Sequence, residues 1–171
     1  MAVTDSRDAQ EGVHDVLIIG AGMSGLCMGI RLAQRGIGDF LILERSPEVG
    51  GTWHDNTYPG ACSDVPAVLY SYSFAPNPDW SRVFPPHDEI KAYIRRCAED
   101  FGLLPKLRLS TTVESATWQE DGGHWQLQLA GGEVLRARSL VSALGQLNER
   151  IGGCQLRKAC SIRGDLSEQH K

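Results

Sequence analysis

The sequence predicts an α/β domain, a parallel sheet with an antiparallel meander inserted into it. Three observations lead there. Two short apolar runs flank a stretch of helical periodicity within about 30 residues, and such a βαβ unit pairs its strands in parallel. A glycine-rich turn, Gly20-Ala21-Gly22-Met23-Ser24-Gly25, joins the first run to the helix. Further along, three strand-like runs are separated by turns at Asp121-Gly122-Gly123 and Gly131-Gly132, the composition of hairpin connections.

The elements follow in order. His14-Asp15-Val16-Leu17-Ile18-Ile19 is an apolar run stopping at Gly20, as a buried strand does. Over residues 22–35, Met23, Leu26, Cys27, Ile30 and Ala33 recur at helical spacing, and Gly36 stands where a helix takes its stop residue. Phe40-Leu41-Ile42-Leu43 is a second buried strand. Between residues 47 and 86, Gly50, Gly51, Gly60 and seven prolines break any long element, and seven aromatic residues crowd the stretch. A long loop of that composition is expected to be functional. Helical spacing returns over residues 87–101, with Ile90, Tyr93, Ile94, Cys97 and Phe101 on one face. Asp88 and Glu89 lie in its first turn, where the helix dipole favours them, and Gly102 ends it. Residues 107–118, 125–129 and 134–137 read as the meander, and residues 139–144 as one more buried strand ending at Gly145. Residues 149–171 show no periodicity and are expected to be an irregular tail; residues 1–12 are expected to be a disordered leader. One domain over residues 13–148 remains.

Composition narrows the function. A chain of 171 residues holds one core and hardly two. The net charge of −4 is spread without a basic block, so nothing points to nucleic acid or to an anionic membrane, and no protein partner is inferred. No apolar run approaches the roughly 20 residues of a membrane helix. Five cysteines form no C-x-x-C pair and suit reduced thiols in a cytoplasmic protein. His54 and His87 have no partners at ligand spacing, so no metal is expected.

The turn carries the chemistry. G-x-G-x-x-G alone is a weak signal, but here it follows a strand and opens a helix, which is the context it needs. Gly20 permits the tight turn, Gly22 lets a pyrophosphate approach the backbone, and Gly25 lets helix and strand pack. Free N–H groups and the positive helix end then hold phosphate. Glu44, at the end of the second strand, would accept ribose hydroxyls and disfavour a 2′-phosphate, which excludes NADPH here and leaves FAD or NAD. The competing reading is a glycine-rich turn followed by a solvated glutamate.

After Glu44 come Gly50-Gly51-Thr52-Trp53, then Tyr58-Pro59-Gly60-Ala61-Cys62-Ser63-Asp64, then Tyr70-Ser71-Tyr72-Ser73-Phe74, and much later Ala143-Leu144-Gly145-Gln146-Leu147. With these motifs in this order, residues 13–148 resemble the class B flavin-dependent monooxygenases, nearest the Baeyer–Villiger type. The resemblance implies a Rossmann-like FAD-binding domain. It implies that Gly20, Gly22 and Gly25 face the pyrophosphate and Glu44 the adenosine ribose, with Ser24 and Arg45 as further contacts. Gly51, Thr52 and Trp53 would lie beside the phosphates and flavin, Asp64 and Tyr70 near the isoalloxazine ring, and Val113 at the adenine. Ala143 would mark where the chain leaves the flavin domain, still beside the cofactor. Asp64 takes the catalytic role of orienting an arginine from a nicotinamide domain; the alternative is a turn aspartate capping a nearby N–H. Trp53, Tyr70 and Tyr72 could equally be core aromatics, and Cys62 a small packing residue.

The activity implied is NADPH- and O2-dependent oxygenation of an organic substrate, a ketone going to an ester or lactone. A nitrogen- or sulfur-oxygenating enzyme, acting on an amine or sulfide, is the first alternative, and Asp64 fits the Baeyer–Villiger pattern better. The family's linker, its F-x-G fingerprint and its second G-x-G-x-x-G do not occur in these 171 residues. The sequence therefore leads one to expect a truncated frame, alternative transcript or gene fragment with no NADPH site. A non-catalytic FAD-binding fragment is the second alternative.

Overall fold

A computed structural model describes residues 12–145 and the backbone of residues 155–157. The chain runs through β1 (Val13–Ile19), α1 (Met23–Gln34) and β2 (Phe40–Leu43) into the aromatic loop. That loop holds one turn of helix, α2 (Thr52–Asp55), and a 3-10 turn at Ala67–Leu69. Then follow α3 (His87–Asp100), β3 (Leu107–Arg108), β4 (Val113–Gln119), β5 (His124–Leu129), β6 (Val134–Ser142) and β7 (Gln155–Arg157). One mixed sheet has the order β3-β2-β1-β6-β5-β4-β7. β1 is parallel to both β2 and β6, while β4, β5 and β6 are antiparallel neighbours.

The period of two in β1 and β2 separates two cores. Val16 and Ile18 of β1, with Phe40 and Ile42 of β2, face Leu26 and Ile30 of α1 and Ile90, Ile94 and Cys97 of α3. Leu17, Ile19 and Leu43 point the other way, against Val113, Ala116, Leu127, Leu129 and Ala137 of the meander. Both faces of the central strands are thus covered, which is why they read as unbroken apolar runs. Leu17, Ile18, Leu26, Ile30 and Ile42 are fully excluded from solvent, and each such side chain contributes about 1.5–3 kcal/mol of burial. α1 stops where Gly36 takes φ +76°: the Gly36 N–H donates to Ala33 and the Ile37 N–H to Leu32, closing a Schellman cap.

A polar thread runs through the aromatic core. The Tyr72 hydroxyl donates to the Met23 carbonyl at 2.7 Å, and the Tyr72 N–H donates to the Tyr93 hydroxyl, which in turn donates to the Ala75 carbonyl. Burial pushes the Tyr93 phenol up to about 12 and raises Tyr72 as well, so both remain neutral donors. The loop is tied in this way to the first turn of α1.

Three expectations are corrected. The strand read over residues 107–118 is two strands. β3 pairs with β2 and β4 with β5, and Ser110 between them adopts φ +51°. The runs read as 134–137 and 139–144 are one strand, β6, because Arg138 points outward without interrupting the backbone ladder. Ala137 pairs with Trp125 of β5 on one side and His14 of β1 on the other, so the meander is continuous with the parallel sheet. The tail expected to be irregular contributes β7, parallel to β4. The leader, and the last two residues of the Ala143–Leu147 motif, lie outside the described residues.

Candidate functional site

The ends of three parallel strands meet at one crevice. Ile19 and Gly20 close β1, Leu43 and Glu44 close β2, and Ala143 follows β6, with β2 and β6 on opposite sides of β1. Ligands of open α/β sheets bind outside the carboxyl ends of the strands at such a switch point.

The glycine turn is built by contact, residue by residue. Gly20, at φ +104°, lies so close to Ala143 that a Cβ would come 2.5 Å from its carbonyl oxygen. At Gly25 a Cβ would stand 1.9 Å from the Gly20 carbonyl oxygen, so only glycine lets α1 start here. Gly22 differs. Its backbone is ordinary, it is the N-cap of α1 without a side-chain cap, and a Cβ would meet only Gly51, at 3.6 Å. The first turn of α1 thus presents its N–H groups beside an open space, with no acidic side chain among its residues.

Glu44 fastens this turn. Its carboxylate is buried and accepts the Ala21 N–H at 2.7 Å and the Ser46 N–H at 2.9 Å. Its own carbonyl accepts the Thr111 N–H at 2.8 Å, which draws residues 111–114 to the end of β2. A carboxylate offers about four acceptor positions, so two remain for a ligand. The Gly50 N–H donates to the Ala21 carbonyl, seating Gly51 on Gly22. Arg45 pairs with Asp55 at 3.1 Å. Trp53 and Tyr70 meet edge to face at 5.4 Å between ring centres, and the Trp53 indole N–H donates to the Tyr70 hydroxyl at 2.8 Å.

These residues line a cleft of about 950 Å³. It collects Gly20, Gly22, Ser24, Glu44, Arg45, Gly51, Thr52, Trp53, Asp64, Tyr70, Val113 and Ala143, all expected at the site. Gly25 is the exception; it lies beneath the turn as a packing residue. Of the aromatic residues weighed as core, Tyr72 is buried in it, while Trp53 and Tyr70 are partly buried and face the cleft. Asp64 is exposed at the rim and makes no hydrogen bond among the described residues. The turn N–H at Val65 is capped instead by the Ser63 hydroxyl at 3.1 Å, so Asp64 is not the turn cap. Cys62, expected to be a packing residue, is exposed and lines the cleft, because its backbone bridges to Pro86 and turns the side chain outward. Thr111, Thr112 and Glu114 also line it and were not anticipated, since the sequence reads as strand there; the polar run Ser110-Thr111-Thr112 was the available signal. No group of His, Cys, Asp and Glu that could hold a metal ion occurs among the described residues.

Residues 18–85 match the model of an NAD(P)-binding Rossmann-like domain. A Baeyer–Villiger monooxygenase of Streptomyces coelicolor is 45% identical over 142 residues, which cover 81% of this chain and 27% of the relative. In sequence and fold, this chain is similar to Baeyer–Villiger monooxygenases. An oxidized steroid monooxygenase bound to NADP superposes with a TM-score of 0.76 at 37% identity, over 81% of this chain and 27% of that one. The OTEMO complex with FAD and NADP gives the same TM-score at 31% identity and the same coverage. The chain thus spans about a quarter of the length of the Baeyer–Villiger monooxygenases it matches. No helix among the described residues is long and apolar enough to cross a membrane.

Proposed function

We propose that this chain binds FAD in the cleft and forms the flavin-binding part of an NADPH- and O2-dependent Baeyer–Villiger monooxygenase. One observation carries the reading: a buried carboxylate, Glu44, stands beside an uncapped helix N-terminus at a turn where Gly22 and Gly51 face each other without side chains. The residues fit the cofactor. The α1 N–H groups would hold the pyrophosphate, the two free acceptor positions of Glu44 the adenosine ribose, and the Val113 backbone the adenine. A carboxylate repels a 2′-phosphate, which favours FAD over NADPH at this turn.

When bound, the flavin supplies the two-electron and oxygen chemistry, and the protein's share is position and electrostatics. Gly20, Gly22 and Gly51 admit the backbone of the cofactor, with Ser24, Arg45 and Thr52 alongside. Trp53 and Tyr70 would border the ring, with Ala143 beside the cofactor. Asp64, an exposed carboxylate on the same rim, is suited to hold a guanidinium bidentately. The relatives that carry the named activity are about three times as long, and residues 1–171 alone are proposed to bind FAD without turnover.

Flavin fluorescence titration of the purified chain tests the binding. Gly22→Val should abolish most of the affinity, and equal affinity in wild type and variant would refute the site. Anaerobic mixing with NADPH, followed by air and product analysis with a ketone, an amine and a sulfide, tests the rest. Rapid flavin reduction with oxygenated product from residues 1–171 would refute the inactive-alone reading, and the substrate oxygenated would separate the ketone reaction from nitrogen or sulfur oxygenation.

A further inference from the structure

Helix α1 carries apolar residues on two sides. Leu26 and Ile30 are buried against the sheet, as the fold requires. On a second flank Met23, Cys27 and Leu32 are only partly buried, and Met28 is 37% exposed. With Ile37 beyond the helix and the ring of Tyr72 from the aromatic loop, they line a groove of about 610 Å³. Small-molecule sites run from about 300 to 1,000 Å³ and have mostly apolar walls with few polar groups. The groove meets the cleft at Met23 and Ser24, which line both, and follows α1 away from it for about 18 Å at the helical rise.

Its far end is cationic. Arg31 and Arg35 stand one turn apart on the same helix face, a spacing at which like charges repel. Neither has a carboxylate partner among the described residues, and residues 20–38 contain no Asp or Glu to supply one locally. Arg31 is held in place: its guanidinium lies 4.0 Å from the centre of the Phe74 ring, which is stacked in turn on Tyr72. It donates one N–H to Gln34 at 2.8 Å, and its remaining donors meet no acceptor among the described residues. An anion between the two guanidinium groups would relieve their repulsion and use those donors.

We propose that this groove binds an amphiphilic monoanion of the fatty-acid type. Its carboxylate lies between Arg31 and Arg35, and its alkyl chain runs along Met28 and Cys27 toward Met23. The two halves of the groove select the two halves of the ligand. A small anion gains little from exposed arginines in salt water, and a neutral alkyl chain leaves the like charges facing each other. The site goes beyond the proposed flavin function and needs no FAD to form.

Calorimetric titration of the purified chain with dodecanoate, below its micelle concentration, tests the proposal. One molecule should bind per chain. Dodecanol should bind about tenfold more weakly, two exposed ion pairs at severalfold each. Dodecyltrimethylammonium should bind more weakly still, and acetate not detectably. Arg31→Gln combined with Arg35→Gln should weaken dodecanoate by the same factor, leave dodecanol unchanged and melt no lower than wild type, because it removes a repulsion. Maleimide labelling read by mass spectrometry locates the ligand: dodecanoate should shield Cys27, in the groove, and leave Cys62, in the cleft, as reactive as before. Absence of dodecanoate binding would overturn the proposal. So would equal affinity for the dodecyl probes, or for wild type and the double variant, which would mean apolar adhesion without the arginines. Displacement of dodecanoate by FAD, with Cys62 shielded in place of Cys27, would put the ligand in the cleft and overturn it too.

Discussion

Glu44 holds the glycine turn before any ligand arrives, so its removal should be felt by the protein without flavin. Its carboxylate accepts one fully buried backbone N–H, from Ala21, and one partly buried, from Ser46. Bonds to a charged acceptor contribute about 1.5–3 kcal/mol each. In Glu44→Gln one oxygen can still accept, while the amide NH2 meets a backbone donor. One bond is lost and one N–H is left unsatisfied, for about 2 kcal/mol. A chain of this size loses about 2–4 °C in Tm per kcal/mol, so the flavin-free variant should melt about 4–8 °C lower. Glu44→Ala loses both bonds, about 3–6 kcal/mol, a large part of the stability of an ordinary domain. Circular dichroism melts without FAD measure this, and a titration then measures the ribose contribution, a further ten- to hundredfold loss of affinity. A flavin-free Glu44→Gln melting within about a degree of wild type would refute the reasoning. Glu44 would then act on the ligand alone.

The glycines should separate cleanly. Gly22→Ala, with only Gly51 at 3.6 Å, should fold as wild type and lose FAD affinity; Gly25→Ala, 1.9 Å from a backbone oxygen, should fail to fold or lose several kcal/mol. Equal melting temperatures for the two would contradict the contacts. Tyr93→Phe removes two bonds, to the Tyr72 N–H and the Ala75 carbonyl, whereas Tyr72→Phe removes one, to Met23. The first should cost about twice the second, near 2 against 1 kcal/mol by denaturant titration, and the reverse order would be wrong for this network. Val68 and Leu69 are 83% and 72% exposed, and Val83 and Phe84 are joined to them through the Ala67–Val83 backbone bond. Val68→Ser with Leu69→Ser should raise the concentration at which light scattering detects aggregation, with melting unchanged.

What the sequence disclosed was local. The run to Ile19, the glycines of the turn, the helical period ending at Gly36 and the acid after Leu43 each lie within a few residues of the structure they specify. The aromatic loop announced itself by composition. Partner choice did not. Alternating apolar residues mark residues 107–118 as extended, yet only the hydrogen bonds to Ser46 and Glu44 reveal that the chain breaks at Ser110 to change neighbours. Arg136 and Arg138 put charge in the middle of β6 and split its apolar pattern, although alternate residues of a strand can face solvent at no loss to its ladder. The exposure of Cys62 and Asp64 depends on the backbone of residues 61–67 being bonded to Val83, Pro85 and His87, contacts that no short motif encodes.

β6 bears on how this domain could be rebuilt by recombination. Its first half is laddered to β5 and its second half to β1, with Ala137 facing a partner on each side. Chimeras are ordinarily joined in loops, where a seam disturbs few contacts, and the loops at residues 120–123 and 130–133 invite such a seam. Neither would free the meander. A donor meander joined there would bring its own β4 and β5 to a host β6 already committed to β1, and Val113 of the cleft would travel with the donor. A productive crossover has to fall within β6 itself, between Ala137 and Leu140, so that each parent keeps the half it pairs with. The meander is thus inherited with the Val113 end of the cleft, and the two would be exchanged together or not at all.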